Sequence, residues 1–306
     1  MRSLLKTLLV AVVAVLLVKL VAFTSCTIPS TGMENTLYRG DRVIVNRWSY
    51  GYRTPLASVF GYHRWAESPV GRNDIVLFNR PSAEQQLQDG GDLFINRCVG
   101  LPGDTLRLTD ELILTDADVL TPDSKYLYAY PGQQETLVTQ AIRQAGIEDN
   151  TLVGYDQGDY LRSFSLREIN AVKRLLGPQV QFRSVQTTDS DAVHDFVVPG
   201  KGIAVRVRPW NVMLLRNTIV MHEGRRAEVK GDTLLVDGRP VASYRFSKDY
   251  YWMASNNSMS LCDSRLFGFV PKECIIGRAA LVWFSKDPSE SLLSGYRFER
   301  FFHRIN

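Results

Sequence analysis

Cysteine and histidine are scarce in this chain, four of each among 306 residues. Cys26, Cys98, Cys262 and Cys274 show no C-x-x-C spacing, and the histidines are dispersed, which excludes the common zinc signatures. No metal and no cofactor is expected. An excess of one charge is lacking too. Lys and Arg number 36 against 32 for Asp and Glu, a surplus too small and scattered for a nucleic-acid surface. No G-x-x-x-x-G-K-[ST] frame occurs, so Gly100-Leu-Pro-Gly-Asp104 reads as a tight turn between strands and not as a phosphate loop. The cysteines stand as free thiols, or as a disulfide if the domain lies outside the cytoplasm, and spacing alone pairs none of them.

What is present is an ordinary folding composition, 45% apolar and 22% charged, enough for one large or two modest domains. One long apolar segment stands out, Leu4 to Phe23, unbroken from Leu8 to Val18 and flanked by Lys6 and Lys19. Twenty helical residues span about 30 Å, roughly one hydrocarbon core. The expectation is a single transmembrane anchor over 1–25 in contact with the lipid bilayer. A cleaved signal peptide, or a lipoprotein signal using Cys26, are the alternatives. Arg2 and Lys6 favour a cytoplasmic N-terminus.

The remainder reads as mainly β. Asp41–Asn46, Asp74–Phe78, Thr105–Leu108, Leu112–Leu114, Gly231–Gly238 and Ile275–Phe284 are short β-type runs separated by Gly and Pro. The middle, 117–205, differs. Glu135–Ala145 has helical spacing, and Ser165-Leu-Arg-Glu168 fits a capping box opening a helix that ends near Gly177-Pro178. A third helix is expected over Pro209–His222. Trp48, Tyr50, Tyr52, Phe60, Tyr62 and Trp65 crowd one stretch, as core or as a bilayer-interface contact, the second being favoured. His222 and His303 have no partner motif and read as packing or surface residues.

Five phrases then follow the apolar segment in order. Pro29-Ser30-Thr31-Gly32-Met33-Glu34-Asn35-Thr36-Leu37 resembles the P-S-x-S-M-x-P-T-L phrase of bacterial type I signal peptidases. Gly40–Asn46 with Tyr50-Gly51, Asn73–Phe78 with Pro81, Arg97–Asp104, and Asp263–Pro271 with Ile276–Ala279 resemble the family's later phrases. The resemblance implies a signal-peptidase-like β domain over 26–116 and 206–306. It would carry an α/β insertion over 117–205 and one N-terminal transmembrane helix. It also implies a bacterial inner (cytoplasmic) membrane location, with the main domain on the periplasmic side. The activity implied is removal of signal peptides from exported proteins by a serine nucleophile and a neutral lysine base.

The resemblance breaks at those two groups. The nucleophile position is Gly32, which has no hydroxyl, and the base position is Asn96, whose amide has no useful basicity. Ser30, matching an oxyanion-hole serine, and Met33, Thr36 and Leu37 keep the lip of the groove. Asp263 and Arg265 match a pair that braces the site. The family serine that contacts the base falls at Ser260 or Leu261. Among the lysines beyond the anchor, Lys248 comes nearest to a replacement base, standing just before the last phrase. The expectation is a catalytically degenerate pseudopeptidase that binds signal peptides, or modulates an active signal peptidase or the export machinery. An active peptidase with a rearranged nucleophile and a structural subunit of an envelope membrane complex are the alternatives. No nucleic-acid partner is expected.

Overall fold

The computed structural model describes residues 6, 22–54, 57–82, 91–115, 121–147, 150, 152–185 and 192–305. Its main strands, in chain order, are β1 (Phe23–Thr27), β2 (Asp41–Asn46), β3 (Ile75–Asn79), β4 (Leu93–Gly100), β5 (Thr105–Thr109) and β6 (Lys125–Pro131). They continue with β7 (Leu152–Asp156), β8 (Asp159–Ser165), β9 (Arg183–Ser184), β10 (Val193–Val197), β11 (Tyr250–Ala254) and β12 (Ile275–Ser285). Three longer helices are α1 (Glu135–Gln144), α2 (Leu166–Leu176) and α3 (Val212–His222).

The largest sheet runs β1-β2-β12-β3-β4-β11 and ends on Val270–Pro271, with His303–Arg304 pairing β12 from the side. Its labelled strands pair antiparallel. Apolar residues alternate inward along β2, where Val43 and Val45 are fully buried, and β3 is buried throughout. Register shifts where β12 meets β2 and β3 bend the long strand. At Gly277 the bend brings two backbones together, since a Cβ there would lie 2.3 Å from the Asn46 carbonyl oxygen. Curling closes the sheet around one cluster that includes Ile28, Met33, Leu37, Val43, Ile75 and Val282. Cys26 of β1 and Ile95 of β4, with three strands between them in sheet order, both pack against it.

The middle of the chain builds a second layer. Strands β9-β6-β8-β7 form a four-stranded sheet, with α1 and α2 covering a face lined by Tyr130 and Phe164. The capping box forms as expected: Ser165 Oγ accepts from the Glu168 N–H, and the Glu168 carboxylate accepts from the Ser165 N–H. Val193–Val197, inside the expected insertion, instead pairs with β5, and Phe196 enters the core with Leu106, Leu215 and Trp252.

Two local expectations are corrected, together with the end of a third. The anchor lies outside the described residues except at residues 6 and 22–25, and there Phe23–Ser25 is strand, paired with Asn46, Val45 and Ile44. Threonine at 24 and 27 suits that extended backbone. No helix among the described residues is long and apolar enough to cross a membrane. Leu112–Leu114 is a turn and one bridge, not a strand. Thr109 and Ile113 close it with reciprocal bonds, and Leu112 takes a φ of 61°. The third helix starts at Val212, because Asn211 Oδ1 accepts the Arg208 N–H and holds Pro209-Trp210 in a turn.

Candidate active-site region

The loop from Ser30 to Leu37 leaves β1 and returns to β2. Met33 and Leu37 pin it by entering the core, at 3% and 0% exposure. Thr36 Oγ1 accepts from Arg97 and from Asn256 Nδ2, both at 2.8 Å, and donates to Asp123. Asn256 Nδ2 also donates to the Glu34 carbonyl, and the Asn257 N–H to that of Gly32. Ser30 is exposed at the rim. Asn35 takes a φ of 70°, in the left-handed region. Proline, which the resembling phrase has there, is locked near −65° and cannot adopt it. Asparagine tolerates that conformation, so the loop's backbone follows a course that the family phrase forbids.

Gly32 has no left-handed φ, so its backbone does not demand glycine. A Cβ there would meet Ser260 Oγ at 2.8 Å and Ser255 Oγ at 3.6 Å. Ser255 is also where Asn96 arrives. On β4, Asn96 is 3% exposed, and its Nδ2 donates to Ser255 Oγ at 3.1 Å. Gly32 and Asn96 therefore face the same serine. Of the two residues left open for the family serine, Ser260 meets Gly32, whereas Leu261 is 60% exposed.

The segment carrying both serines is held by Asp263 and Arg265. Buried Asp263 accepts from the Ser255 N–H at 2.9 Å and pairs with Arg265 at 2.8 Å. The Arg265 guanidinium also donates to the carbonyls of Ser258 and Ser260. One ion pair thus fixes the backbone on both sides of the contact with Gly32.

Sequence reasoning missed Lys125. Its side chain is 1% exposed, and Nζ lies 2.7 Å from Glu34 Oε2 and 3.5 Å from Glu168 Oε1. Its backbone N–H donates to the Asn256 carbonyl, joining β6 to the site segment. Lys248 is elsewhere, paired with Glu273. Nothing in the spacing signals Lys125, because its partners stand 91 and 43 residues away. Ser255 lies just before the fifth phrase, but its contact with Asn96 spans 159 residues.

The aromatic stretch divides. Tyr50 is buried and its hydroxyl donates to Asp74. Trp48, Tyr52, Phe60 and Trp65 are exposed, and Trp48 lies between Phe23 and Tyr52 at 5.8 and 5.6 Å between ring centroids. All four cysteines are free thiols. Among the described residues no His, Cys, Asp and Glu side chains converge as a metal site.

A curled antiparallel sheet thus carries a loop from its edge strand, and a polar side chain of β4 meets the same serine as that loop. The family model for signal peptidase, peptidase S26, matches residues 1–174 and 242–284, and the chain belongs to that family. It is 23% identical to signal peptidase I of Buchnera aphidicola from Acyrthosiphon pisum, over 91% of this chain and 73% of the relative. It is 22% identical to signal peptidase I of Haemophilus influenzae, over 95% and 72%. A shorter match to signal peptidase I of Pseudomonas aeruginosa reaches 39% identity over 28% of this chain and 26% of the relative.

Proposed function

We propose that this chain is a membrane-anchored pseudopeptidase whose domain lies outside the cytoplasm and holds signal peptides without cutting them. The observation that carries the reading is the meeting of Gly32 and Asn96 at Ser255, a centre with neither a hydroxyl at position 32 nor a basic amine at position 96. Acyl transfer by the family's route needs both groups. The lysine that reaches the loop, Lys125, is engaged by two carboxylates and is not a free amine. Loss of single members of such a unit costs on the order of 10⁴ to 10⁶ in rate.

A peptide site is supported by the sheet's edge. Among the described residues β1 pairs with β2 alone, which leaves an outer edge that an extended peptide could join. The exposed aromatics next to Phe23 suit a domain resting on a bilayer. The test is cleavage of a preprotein in detergent or lipid beside an active signal peptidase I. No cleavage by this chain, with saturable signal-peptide binding, supports the reading. Cleavage at the normal site overturns it, and absence of binding favours a structural subunit.

A further inference from the structure

Three side chains around Gly32 carry hydrogen-bonding capacity that the described protein does not use. Asn96 spends Nδ2 on Ser255, but its Oδ1 is buried and accepts nothing. Ser255 Oγ accepts that bond, and no acceptor for its proton exists among the described residues. Ser260 Oγ, at the place a side chain on residue 32 would fill, makes no hydrogen bond among them either. A buried carbonyl left unpaired is costly, and such groups are rare enough to require a reason. A leucine on β4 would avoid that cost.

The unused capacity is one buried acceptor beside two hydroxyl donors. One residue of an extended chain offers the complement, an N–H and a carbonyl that point to the same side. We propose that Asn96, Ser255 and Ser260 form a non-hydrolytic clamp for the backbone N–H and carbonyl of a single residue of a bound extended chain. The Asn96 Oδ1 accepts its N–H, and a serine hydroxyl donates to its carbonyl. The proposal rests on the signal-peptide reading and assigns the binding work within it. No bond is made or broken, so the complex ends only by dissociation.

The test measures anisotropy of a labelled synthetic signal peptide, with small residues at the minus-one and minus-three positions, against the full chain in detergent. A second set of peptides carries one N-methylated amide each, stepped across the cleavage region. Asn96→Leu is expected to weaken the ordinary peptide about three- to ten-fold, the worth of one hydrogen bond, with melting temperature unchanged or raised. One N-methyl position should weaken binding to the native chain and make no difference to Asn96→Leu. Ser255→Ala and Ser260→Ala give the same reading from the carbonyl side if Asn96→Leu does not fold. Unaltered affinity in these variants, or losses that simply add for every N-methyl position, overturns the clamp alone. No binding by the native chain overturns the clamp together with the signal-peptide reading.

Discussion

Lys125 Nζ and Glu34 Oε2 stand 2.7 Å apart in the interior, joining the first strand of the middle sheet to the loop that carries Gly32. Both are almost fully enclosed, at 1% and 3% side-chain exposure, and Glu168 at the start of α2 approaches the same ammonium. The insertion and the loop are therefore one packed unit.

Removing one partner breaks the buried pair. Lys125→Met is expected to destabilise the chain by about 3–5 kcal/mol, the cost of an uncompensated buried charge. Adding Glu34→Gln should recover part of that loss, because contacting residues do not behave additively. Urea unfolding of both single variants and of the double variant checks this, and losses that simply add would show that the pair is not coupled.

Asn35 gives a backbone prediction. At its φ of 70° proline cannot fit, so Asn35→Pro should cost about 3 kcal/mol or more, although it restores the family's residue. Asn35→Gly should be close to neutral. Melting temperatures of the two variants decide it, and a stable proline variant would mean that the loop runs otherwise.

Catalysis can be sought directly. Gly32→Ser with Asn96→Lys replaces both missing groups, and slow cleavage of a preprotein is expected from the double variant and none from the native chain. The rate should remain far below that of an active relative, because the new serine meets Ser260 and the loop keeps its Asn35 conformation. Gel assays of one preprotein with all three proteins make the comparison. Full activity in the double variant would refute the account of the loop.

His222 sets an acid limit. Burial and then the Lys248 charge lower its imidazole to about 4, whereas a free histidine titrates near 6.5. Between these values the unfolded chain binds a proton that the folded chain refuses, so stability falls as pH falls through that window. The loss approaches about 3 kcal/mol by its lower end. His222→Gln should remove this portion of the acid sensitivity in urea midpoints at pH 7 and pH 4. An unchanged acid loss in the variant would assign the sensitivity to other groups.

Gly277 tests the curl. Gly277→Ala puts a methyl 2.3 Å from a backbone oxygen that cannot rotate away. It should cost at least about 1–3 kcal/mol as overpacking, visible as a lowered melting temperature. An unaffected protein would show that β12 and β2 separate easily at this point.

Local signals carried far in the sequence. Ser165 and Glu168 announced α2 because a capping box is complete within four residues, and the apolar alternation at Val43 and Val45 announced β2. Leu112 and Leu114 misled because two leucines suit a strand as well as a turn, and the Thr109–Ile113 bonds decided it. At the site, Gly32 and Asn96 were legible as chemical absences. The contacts made at those positions, by Ser255 and Ser260, and the Lys125–Glu34 pair depend on pairings between distant segments that leave no mark in a local pattern. The division of the aromatic stretch is similar: Tyr50 is drawn inward by Asp74, 24 residues on, while its neighbours stay outside.

The hydroxyl of Ser260 beside Gly32 also bears on ancestry. A serine returning at 32 would meet that hydroxyl, a lysine returning at 96 would break the bond to Ser255, and a proline returning at 35 would meet a backbone turned the wrong way. Each of these single replacements is expected to cost stability. On the pseudopeptidase reading proposed above, contacts that depend on one another in this way act as a ratchet, and the uses left to the groove are those that binding alone can serve.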